Sequence, residues 1–239
     1  MAQPKLLIFT GKGGVGKTTL ACEHALKYQT PLYALNDDAL YSEYKINHHV
    51  IDLKEATHEY MARKIHSETI ATWIQETKIF QSVFQMTPAL GNLINLGKVL
   101  DVLRTKQEEK IIFDAPSSGH FKALLDSFKN FPRIFKSGIL FSDALDLESV
   151  LCEESTQINI VAIPTHLALE ESLELQESIK ELYPKIKTNI ILNQYLVPTI
   201  TQNEFENLPE FLKRKIEVEE KIYEKYKKNI SSICAYKLI

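Results

Sequence analysis

The sequence predicts an α/β fold in which a parallel central sheet is flanked by helices. Two features of this chain of 239 residues support that class. Short, continuous apolar runs recur along it, which is typical of parallel strands buried on both faces. Helical patterns lie between several of these runs, and alternation of strands with helices is typical of a parallel sheet.

Five apolar runs are the candidate strands. They lie at residues 5–9, 32–35, 111–113, 158–163 and 189–192. The first run leads directly into a glycine-rich segment. The loop that follows it is therefore expected to start at the carboxyl end of a buried strand.

Two helices are predicted in the second half of the chain. Residues 167–183 place leucine and isoleucine side chains near one face, as in an amphipathic helix that covers a sheet. These side chains are Leu169, Leu173, Ile179 and Leu182. Residues 204–229 mix charges of both signs with apolar residues, so we expect a closing helix packed on the domain. A basic helix on a membrane surface is the alternative.

The chain length predicts one domain, residues 1–239, with a small insertion. From about residue 41 to residue 106 the sequence looks helical, shows no clear strand run and changes from polar to apolar. We therefore predict a helical insertion, about 41–106, between the second and third core strands.

The composition is that of an ordinary globular protein. The net charge of −3 provides no field that would attract nucleic acid, so no nucleic-acid partner is expected. No apolar run approaches the roughly eighteen residues that span a bilayer, and no secretion signal is recognised, so we expect a cytoplasmic protein without stable membrane insertion. The three cysteines form no Cys-x-x-Cys pair, which favours a reducing compartment and argues against structural zinc.

The glycine-rich segment "GKGGVGKTT", residues 11–19, has the spacing Gly-x-x-x-x-Gly-Lys-[Ser/Thr] of a phosphate-binding loop. Glycines let backbone amides surround phosphate oxygens, and the helix expected near Lys17 adds the positive end of its dipole. Lys17 should reach the β and γ phosphates, and Thr18 should bind Mg²⁺. A glycine-rich turn without ligand would not explain the Lys-Thr pair. The predicted nucleotide-binding residues here are Gly11, Lys12, Gly13, Gly14, Val15, Gly16, Lys17, Thr18 and Thr19.

The early lysine of this loop, Lys12, supports a family resemblance. "GKGGVGKTT" resembles the deviant phosphate loop of the dimeric ATPases that include ParA, MinD, the nitrogenase iron protein and the arsenite-pump ATPase ArsA. In that group the early lysine reaches the nucleotide of the partner subunit, which the resemblance implies for Lys12. Such a cation would stabilise charge that develops during phosphoryl transfer. A surface lysine without this task is the alternative.

The motif "DAPSSGH", residues 114–120, narrows the resemblance. Asp114 ends a predicted strand beside the phosphate-binding loop, where a carboxylate is placed to hold Mg²⁺ or its water. The motif is similar to the second switch of ArsA and of the tail-anchored-protein targeting ATPases, and ParA and MinD usually differ there. The segment at 158–179 also resembles the family's strand, proline turn and helix.

A further motif, "NIILNQYLVP" at 189–198, resembles the strand end at which this family recognises adenine. The resemblance implies that Asn193 contacts the base, and an amide offers both a donor and an acceptor for that purpose. With these motifs in order, the chain is identified as similar to the ArsA-like ATPases, which implies ATP and Mg²⁺ as ligands.

The first switch departs from the family pattern. The family typically has Asp-Pro-Ala-His after the second strand, and its aspartate positions the attacking water. Here the matching stretch is "LNDDAL", in which Asp37 keeps the carboxylate, Asp38 replaces proline and Leu40 replaces histidine. Asp37 is a candidate to orient water and, with Thr18 and Asp114, to serve the metal. A regulatory module that binds nucleotide with little or no hydrolysis is the alternative.

The resemblance implies a homodimer, or a heterodimer with a related ATPase. The metalloid-binding cysteines of arsenite pumps and the Cys-x-x-Cys zinc site of eukaryotic targeting members have no match here, so arsenite transport is not expected. Any dimer would rest on other surfaces. A ParA-like or MinD-like protein that binds membrane or DNA with ATP is a further alternative, against which the net charge argues.

A client protein could bind at residues 79–103, where targeting members would carry a hydrophobic surface. Apolar side chains of this segment can align on one helical stripe. They are Leu93, Ile94, Leu96, Val99, Leu100 and Leu103. An exposed stripe would mark a partner site, and the alternative is a helix that packs on the sheet.

Overall fold

A sheet of seven parallel strands forms the centre of the structure, a computed structural model that describes residues 4–134, 137, 139–153 and 155–235. The strands are β1 (Leu6–Gly11), β2 (Leu32–Ala34), β3 (His48–Val50), β4 (Ile111–Ser117), β5 (Thr156–Ala162), β6 (Lys187–Tyr195) and β7 (Ser232–Ala235). Their order across the sheet is β3-β2-β4-β1-β5-β6-β7, and each neighbouring pair is parallel. The predicted fold class is confirmed.

Helices connect the strands and flank the sheet. They are α1 (Lys17–Tyr28), α2 (Ala39–Glu43), α3 (Leu53–Ile65), α4 (Glu68–Glu76), α5 (Lys78–Met86), α6 (Pro88–Arg104), α7 (Ser118–Ile134), α8 (Ile139–Leu151), α9 (His166–Leu182), α10 (Gln202–Glu206) and α11 (Glu210–Tyr226). A 3-10 helix spans Val197–Thr199. Among the described residues, none of the helices has both the length and the apolar character needed to cross a membrane.

The central strand β1 sends its side chains into two separate cores. It pairs with β4 on one side and β5 on the other. Leu6 and Ile8 are buried on the face that also contains residues of α6, α7 and α9, whereas Phe9 is buried on the opposite face against α1. Successive side chains of a strand point to opposite faces, so a strand buried on both faces needs a continuous apolar run.

Both helices predicted in the second half of the chain form and pack against the sheet. α9 corresponds to the helix expected at 167–183, and it buries Leu169 and Ile179. α11 lies within the expected closing helix and buries Ile222 and Tyr226 in the same core as the strands. The prediction that the tail packs on the domain is confirmed.

The sequence predicts no strand between residues 41 and 106, but β3 forms there at the edge of the sheet. It pairs with β2, with His48 opposite Leu32. β3 has three residues, none of them fully buried, so no apolar run marks it. Helices α2 to α6 make up most of the remaining segment. Its assignment as an insertion within a single domain stays a prediction.

The apolar stripe predicted within residues 79–103 lies in the core, which corrects its interpretation as a client surface. Leu96 and Leu100 on α6 are fully buried, and α6 packs against α3, α7 and α8. The alternative, a helix that packs on the sheet, is right that the stripe is covered, but the helix contacts are with α3, α7 and α8. Several large apolar side chains of α4 and α5 are exposed instead. They include Ile70, Trp73, Ile79 and Met86.

Candidate nucleotide-binding site

The predicted phosphate-binding loop connects the carboxyl end of β1 to the start of α1. Gly14 and Gly16 have φ angles of 80° and 84°, in the left-handed region that glycine adopts at little cost. Gly16 is the N-cap of α1, and Lys17 is the first residue of that helix. The first amides of a helix lack intrahelical partners and carry the positive end of its dipole. Loop and helix start together therefore form an anion-binding arrangement.

Gly11, the first glycine of the motif, ends β1 beside the neighbouring strand β5. Its φ angle is 145°, and a Cβ atom at this position would lie 2.2 Å from the carbonyl oxygen of Val161. Only glycine fits here. At Gly13 and Gly14, by contrast, an added Cβ would have no described atom within 4 Å. Space for a ligand thus remains on the open side of the loop.

Lys17 is half-buried at the mouth of the loop. Its Nζ donates a hydrogen bond to the carbonyl oxygen of Lys12, at 3.2 Å. Burial lowers the pKa of Lys17, and the nearby carboxylate of Asp114 offsets part of this effect. The structure therefore holds the Lys17 side chain near both the loop and the carboxylate of Asp114 on β4.

Lys12 pairs with a carboxylate of its own chain. Its Nζ lies 2.9 Å from Oε1 of Glu171 on α9, and both side chains are partly exposed. The sequence gives no sign of this ion pair, because the two residues are 159 positions apart. For Lys12 to reach a partner subunit the pair must open, and that role stays a prediction.

Asp114 is a buried carboxylate whose two oxygens differ in their hydrogen bonding. Oδ2 accepts a hydrogen bond from the hydroxyl of Tyr41 at 2.9 Å. Oδ1 is buried and has no hydrogen-bond partner within the described ranges. Burial raises the pKa of Asp114, and the neighbouring hydroxyls of Thr18 and Tyr41 and the ammonium of Lys17 counteract this. An orphaned buried carboxylate oxygen is costly unless something binds it.

In the first switch, the side chains of Asp37 and Asp38 accept hydrogen bonds from backbone amides of the same segment. Oδ1 of Asp37 accepts a hydrogen bond from the backbone amide of Asp38, at 2.9 Å. Oδ1 of Asp38 accepts one from the amide of Leu40, at 3.0 Å, and Asp38 is the N-cap of α2. Aspartate is a preferred N-cap residue, so Asp38 starts a short helix directly after Asp37.

A cleft of about 290 Å³ brings most of the predicted catalytic and metal residues together. Lys17, Thr18, Asp37 and Asp114 all line it, so groups from α1, the first switch and β4 converge. The parallel strands explain this convergence, because β1, β2 and β4 are neighbours and their carboxyl ends meet at one edge. Lys12 is not among the residues that line this cleft.

Asn193 lies against the phosphate-binding loop. Its Nδ2 donates a hydrogen bond to the carbonyl oxygen of Val15 at 2.8 Å, and it lies 2.5 Å from where a Cβ of Gly16 would be. The amide thus supports the loop and explains a further need for glycine at position 16. Recognition of adenine by Asn193 stays a prediction.

Two further residues line the cleft without a predicted role. Tyr41, which no motif marks, is bonded to Asp114. His120, the last residue of the motif at 114–120, has its Nδ1 3.1 Å from Oγ of Ser117. Tyr41 follows Asp37 by about one helical turn, so recognising Asp38 as an N-cap would have placed Tyr41 near the cleft.

Comparison with known proteins shows relatives named as ATPases, at low identity. No protein-family model matches the chain. It is 23% identical to the ATPase BagA of Mycobacterium tuberculosis over 218 aligned positions, which cover 78% of this chain and 64% of BagA. A relative from Mycobacterium bovis matches with the same identity and coverage. The chain therefore spans less than two thirds of the length of these curated relatives.

Solved structures with a similar arrangement come from bacterial ATPases and cell-division proteins. A ParA family ATPase from Chlorobium tepidum has 16% identity and a TM-score of 0.46, covering 98% of this chain and 84% of that one. The MinD cell division protein of Aquifex aeolicus has 17% identity and a TM-score of 0.47, covering 98% and 82%. At these scores the likeness carries no assignment of function.

Proposed function

We propose that the protein is a Mg²⁺-dependent, ArsA-like ATPase that acts as a dimeric switch and couples its nucleotide state to a partner protein. One observation supports this above all. A glycine loop with left-handed residues leads into a helix that begins at Lys17, and the same cleft contains Asp37 and the buried Asp114. A structural turn would need neither the lysine nor two carboxylates beside it.

The residues of the cleft fit a bound Mg²⁺ ion. Mg²⁺ prefers oxygen ligands and is usually held by one or two carboxylates together with substrate phosphates and water. Asp114 Oδ1 is buried and unpartnered among the described residues, and the hydroxyl of Thr18 neighbours the same carboxylate. Thr18 would bind the ion, with Asp114 and Asp37 holding its water ligands. When bound, the ion would neutralise charge on the β and γ phosphates.

Residues of the chain itself would bind the phosphates and orient the attacking water. The loop amides and the start of α1 would bind the phosphates, and Lys17 would place its ammonium beside the γ phosphate. Asp37 lies at the exposed side of the cleft, where its carboxylate would orient the attacking water. After hydrolysis, the segments that follow Asp37 and Asp114 would move, and this movement would shift the helices connected to them.

Replacing Asp37 with asparagine tests hydrolysis separately from binding. We expect phosphate release with Mg²⁺ and ATP to fall on the order of a hundredfold, because asparagine is a poor acceptor for the proton of water. ATP binding should persist, since the phosphate loop is untouched. The measurements are phosphate release and equilibrium binding of ATP. Asp126→Asn, which alters a carboxylate paired with Lys122 on α7, is the matched control.

The second candidate function is a nucleotide-binding regulatory module with little turnover. One contact favours it: Oδ1 of Asp37 is already engaged by the amide of Asp38. Phosphate release that is equally slow in the wild-type protein and in Asp37→Asn, together with ATP-dependent dimerisation, would support this module and exclude the hydrolytic switch. A ParA-like or MinD-like positioning ATPase shares the loop chemistry but predicts ATP-dependent binding to vesicles or DNA.

Lys12 provides a test of the proposed dimer. We expect Lys12→Ala to retain ATP binding but to lose ATP-dependent dimerisation and to hydrolyse ATP on the order of a thousandfold more slowly, as when an arginine finger is removed. Light scattering and phosphate release measure the two effects. Lys5→Ala is a suitable control, because Lys5 is also an exposed lysine paired with a glutamate, Glu153. Unchanged dimerisation in Lys12→Ala would contradict the cross-subunit role.

A partner protein would bind at the exposed apolar side chains of α4 and α5. Trp73, Ile79 and Met86 are 69%, 79% and 83% exposed, and they replace the buried stripe of α6 as candidates for that contact. We therefore place the proposed partner surface at the amino-terminal end of the segment 79–103 and on the helix that precedes it.

A further inference from the structure

The hydroxyl of Tyr41 joins the first switch to the carboxylate on β4. The side chain is 2% exposed, and its hydroxyl donates to Oδ2 of Asp114 at 2.9 Å. Packing alone would be satisfied by phenylalanine, since the ring fills a core that contains Cys22 and Val161. A buried hydroxyl needs a hydrogen-bond partner, and here the partner is the carboxylate that lines the cleft.

The position of Tyr41 is fixed by its own helix and by a ring contact with a neighbouring strand. It lies in α2, which Asp38 caps at the amino-terminal end through a hydrogen bond to the amide of Leu40. Its ring also packs against His48 of the edge strand β3, with 5.2 Å between ring centroids. The first switch, a capped helical turn and the sheet edge therefore fix the direction from which the hydroxyl approaches Asp114.

As a consequence, only one of the two carboxylate oxygens of Asp114 accepts a hydrogen bond from the described part of the protein. Oδ2 is engaged by Tyr41, whereas Oδ1 is buried without a partner in the described part of the chain. A carboxylate tied at one oxygen cannot rotate freely about its χ2 angle. The oxygen that remains unpaired is thus kept available for a ligand next to Thr18, whose hydroxyl neighbours the same carboxylate.

We propose that Tyr41 is a positioning residue for the magnesium-binding side of the cleft: by holding Oδ2 of Asp114 it presents Oδ1 to the water ligands of the metal and links that carboxylate to the first switch. This inference rests on the proposed ATPase function. Groups that orient the residues around a metal contribute to its affinity although they do not touch it. Because Tyr41 follows Asp37 and Asp38 within one turn, displacement of the first switch would also release Asp114.

The variant Tyr41→Phe removes only the hydroxyl. Binding of ATP, labelled with a fluorescent methylanthraniloyl group, is measured in EDTA and then over a titration with MgCl₂. In EDTA the affinity should match the wild-type protein, because the loop and Lys17 are intact. The Mg²⁺ concentration that gives half of the metal-dependent change should rise on the order of tenfold.

The matched control is Tyr44→Phe. Tyr44 is the C-cap of the same short helix, is partly buried and does not bond to Asp114. Its Mg²⁺ titration should coincide with that of the wild-type protein. A shift in both variants would mean that the helix is merely loosened, and it would overturn the positioning role of the Tyr41 hydroxyl.

A double variant decides whether Tyr41 acts through Asp114. Tyr41→Phe combined with Asp114→Asn should give the same Mg²⁺ titration as Asp114→Asn alone, because the group that Tyr41 positions is already neutral. A further loss in the double variant would overturn the inference. This comparison also serves if Tyr41→Phe alone does not fold, since it needs only the double variant and Asp114→Asn. Circular dichroism shows whether each variant is folded.

The outcomes separate this inference from the proposed function. If the wild-type protein binds ATP with a Mg²⁺ dependence that Tyr41→Phe leaves unchanged, the inference fails and the ATPase proposal stands. If the folded wild-type protein binds no ATP with or without MgCl₂, the proposed function itself fails, and the positioning role fails with it.

Discussion

Replacing Lys17 with alanine is expected to lower ATP hydrolysis on the order of a hundredfold or more. Of the lysines and arginines in the described part of the chain, Lys17 is the one that lines the cleft. Its ammonium already donates a hydrogen bond to the carbonyl oxygen of Lys12 and interacts with the charge of the Asp114 carboxylate. Alanine removes the charge that would oppose the β and γ phosphates, so ATP binding should weaken as well. Phosphate release and equilibrium binding are the measurements.

Lys27→Ala is the control for Lys17→Ala. Lys27 lies in the last turn of the same helix, α1, and is exposed. Its loss should leave hydrolysis at the wild-type rate. Thermal unfolding of both variants shows whether an effect of Lys17→Ala comes from the fold, since Asp114 loses a nearby cation in that variant. A folded Lys17→Ala protein that hydrolyses ATP like the wild type would exclude the loop as the catalytic site.

The sequence alone predicts the sheet and the loop because both leave strong local signals. A strand buried on both faces must be apolar throughout, and β1 is such a strand. The loop needs glycine at Gly14 and Gly16 for left-handed backbone, and at Gly11 for contact with Val161. Each requirement selects a residue type at a fixed position, so a motif can be recognised without knowing the fold.

Contacts between distant parts of the chain leave no such signal. Glu171 reaches Lys12, and Tyr41 reaches Asp114 across 73 positions, only because the parallel sheet brings α9, α2 and β4 to the same edge. The strand β3 is missed for a related reason. It is held by pairing with β2 rather than by its own apolar residues, so its sequence resembles a loop.

An apolar stripe predicts that a helix has a covered face but not what covers it. The leucines of α6 could have served a client protein or the core, and the structure shows that α3, α7 and α8 cover them. Periodicity measures only the segment itself. The neighbours of α6 include α7 and α8, whose positions depend on the whole chain, so the segment alone cannot show which side chains stay exposed. Trp73, Ile79 and Met86 are among those that do.

Replacing Gly11 with alanine should cause the largest loss of stability of any change in the loop. The new Cβ would lie 2.2 Å from the carbonyl oxygen of Val161, and the φ angle of 145° is one that other residues rarely adopt. The carbonyl oxygen belongs to the backbone and the position of the Cβ is fixed by the backbone of Gly11, and Gly11 and Val161 are paired in the ladder between β1 and β5. Neither strand can move away without breaking that ladder. We expect unfolding free energy to fall by about 3 kcal/mol or more.

Gly13→Ala is the matched control, because a Cβ there has no described atom within 4 Å and the φ angle is not in the positive region. It should cost less than about 1 kcal/mol. Denaturant unfolding followed by circular dichroism gives both values. Since a domain is typically stable by only about 5–15 kcal/mol, Gly11→Ala should also lose ATP binding through distortion of the loop. Equal stability of the two variants would mean that β1 and β5 are not in the close contact that the structure shows between Gly11 and Val161.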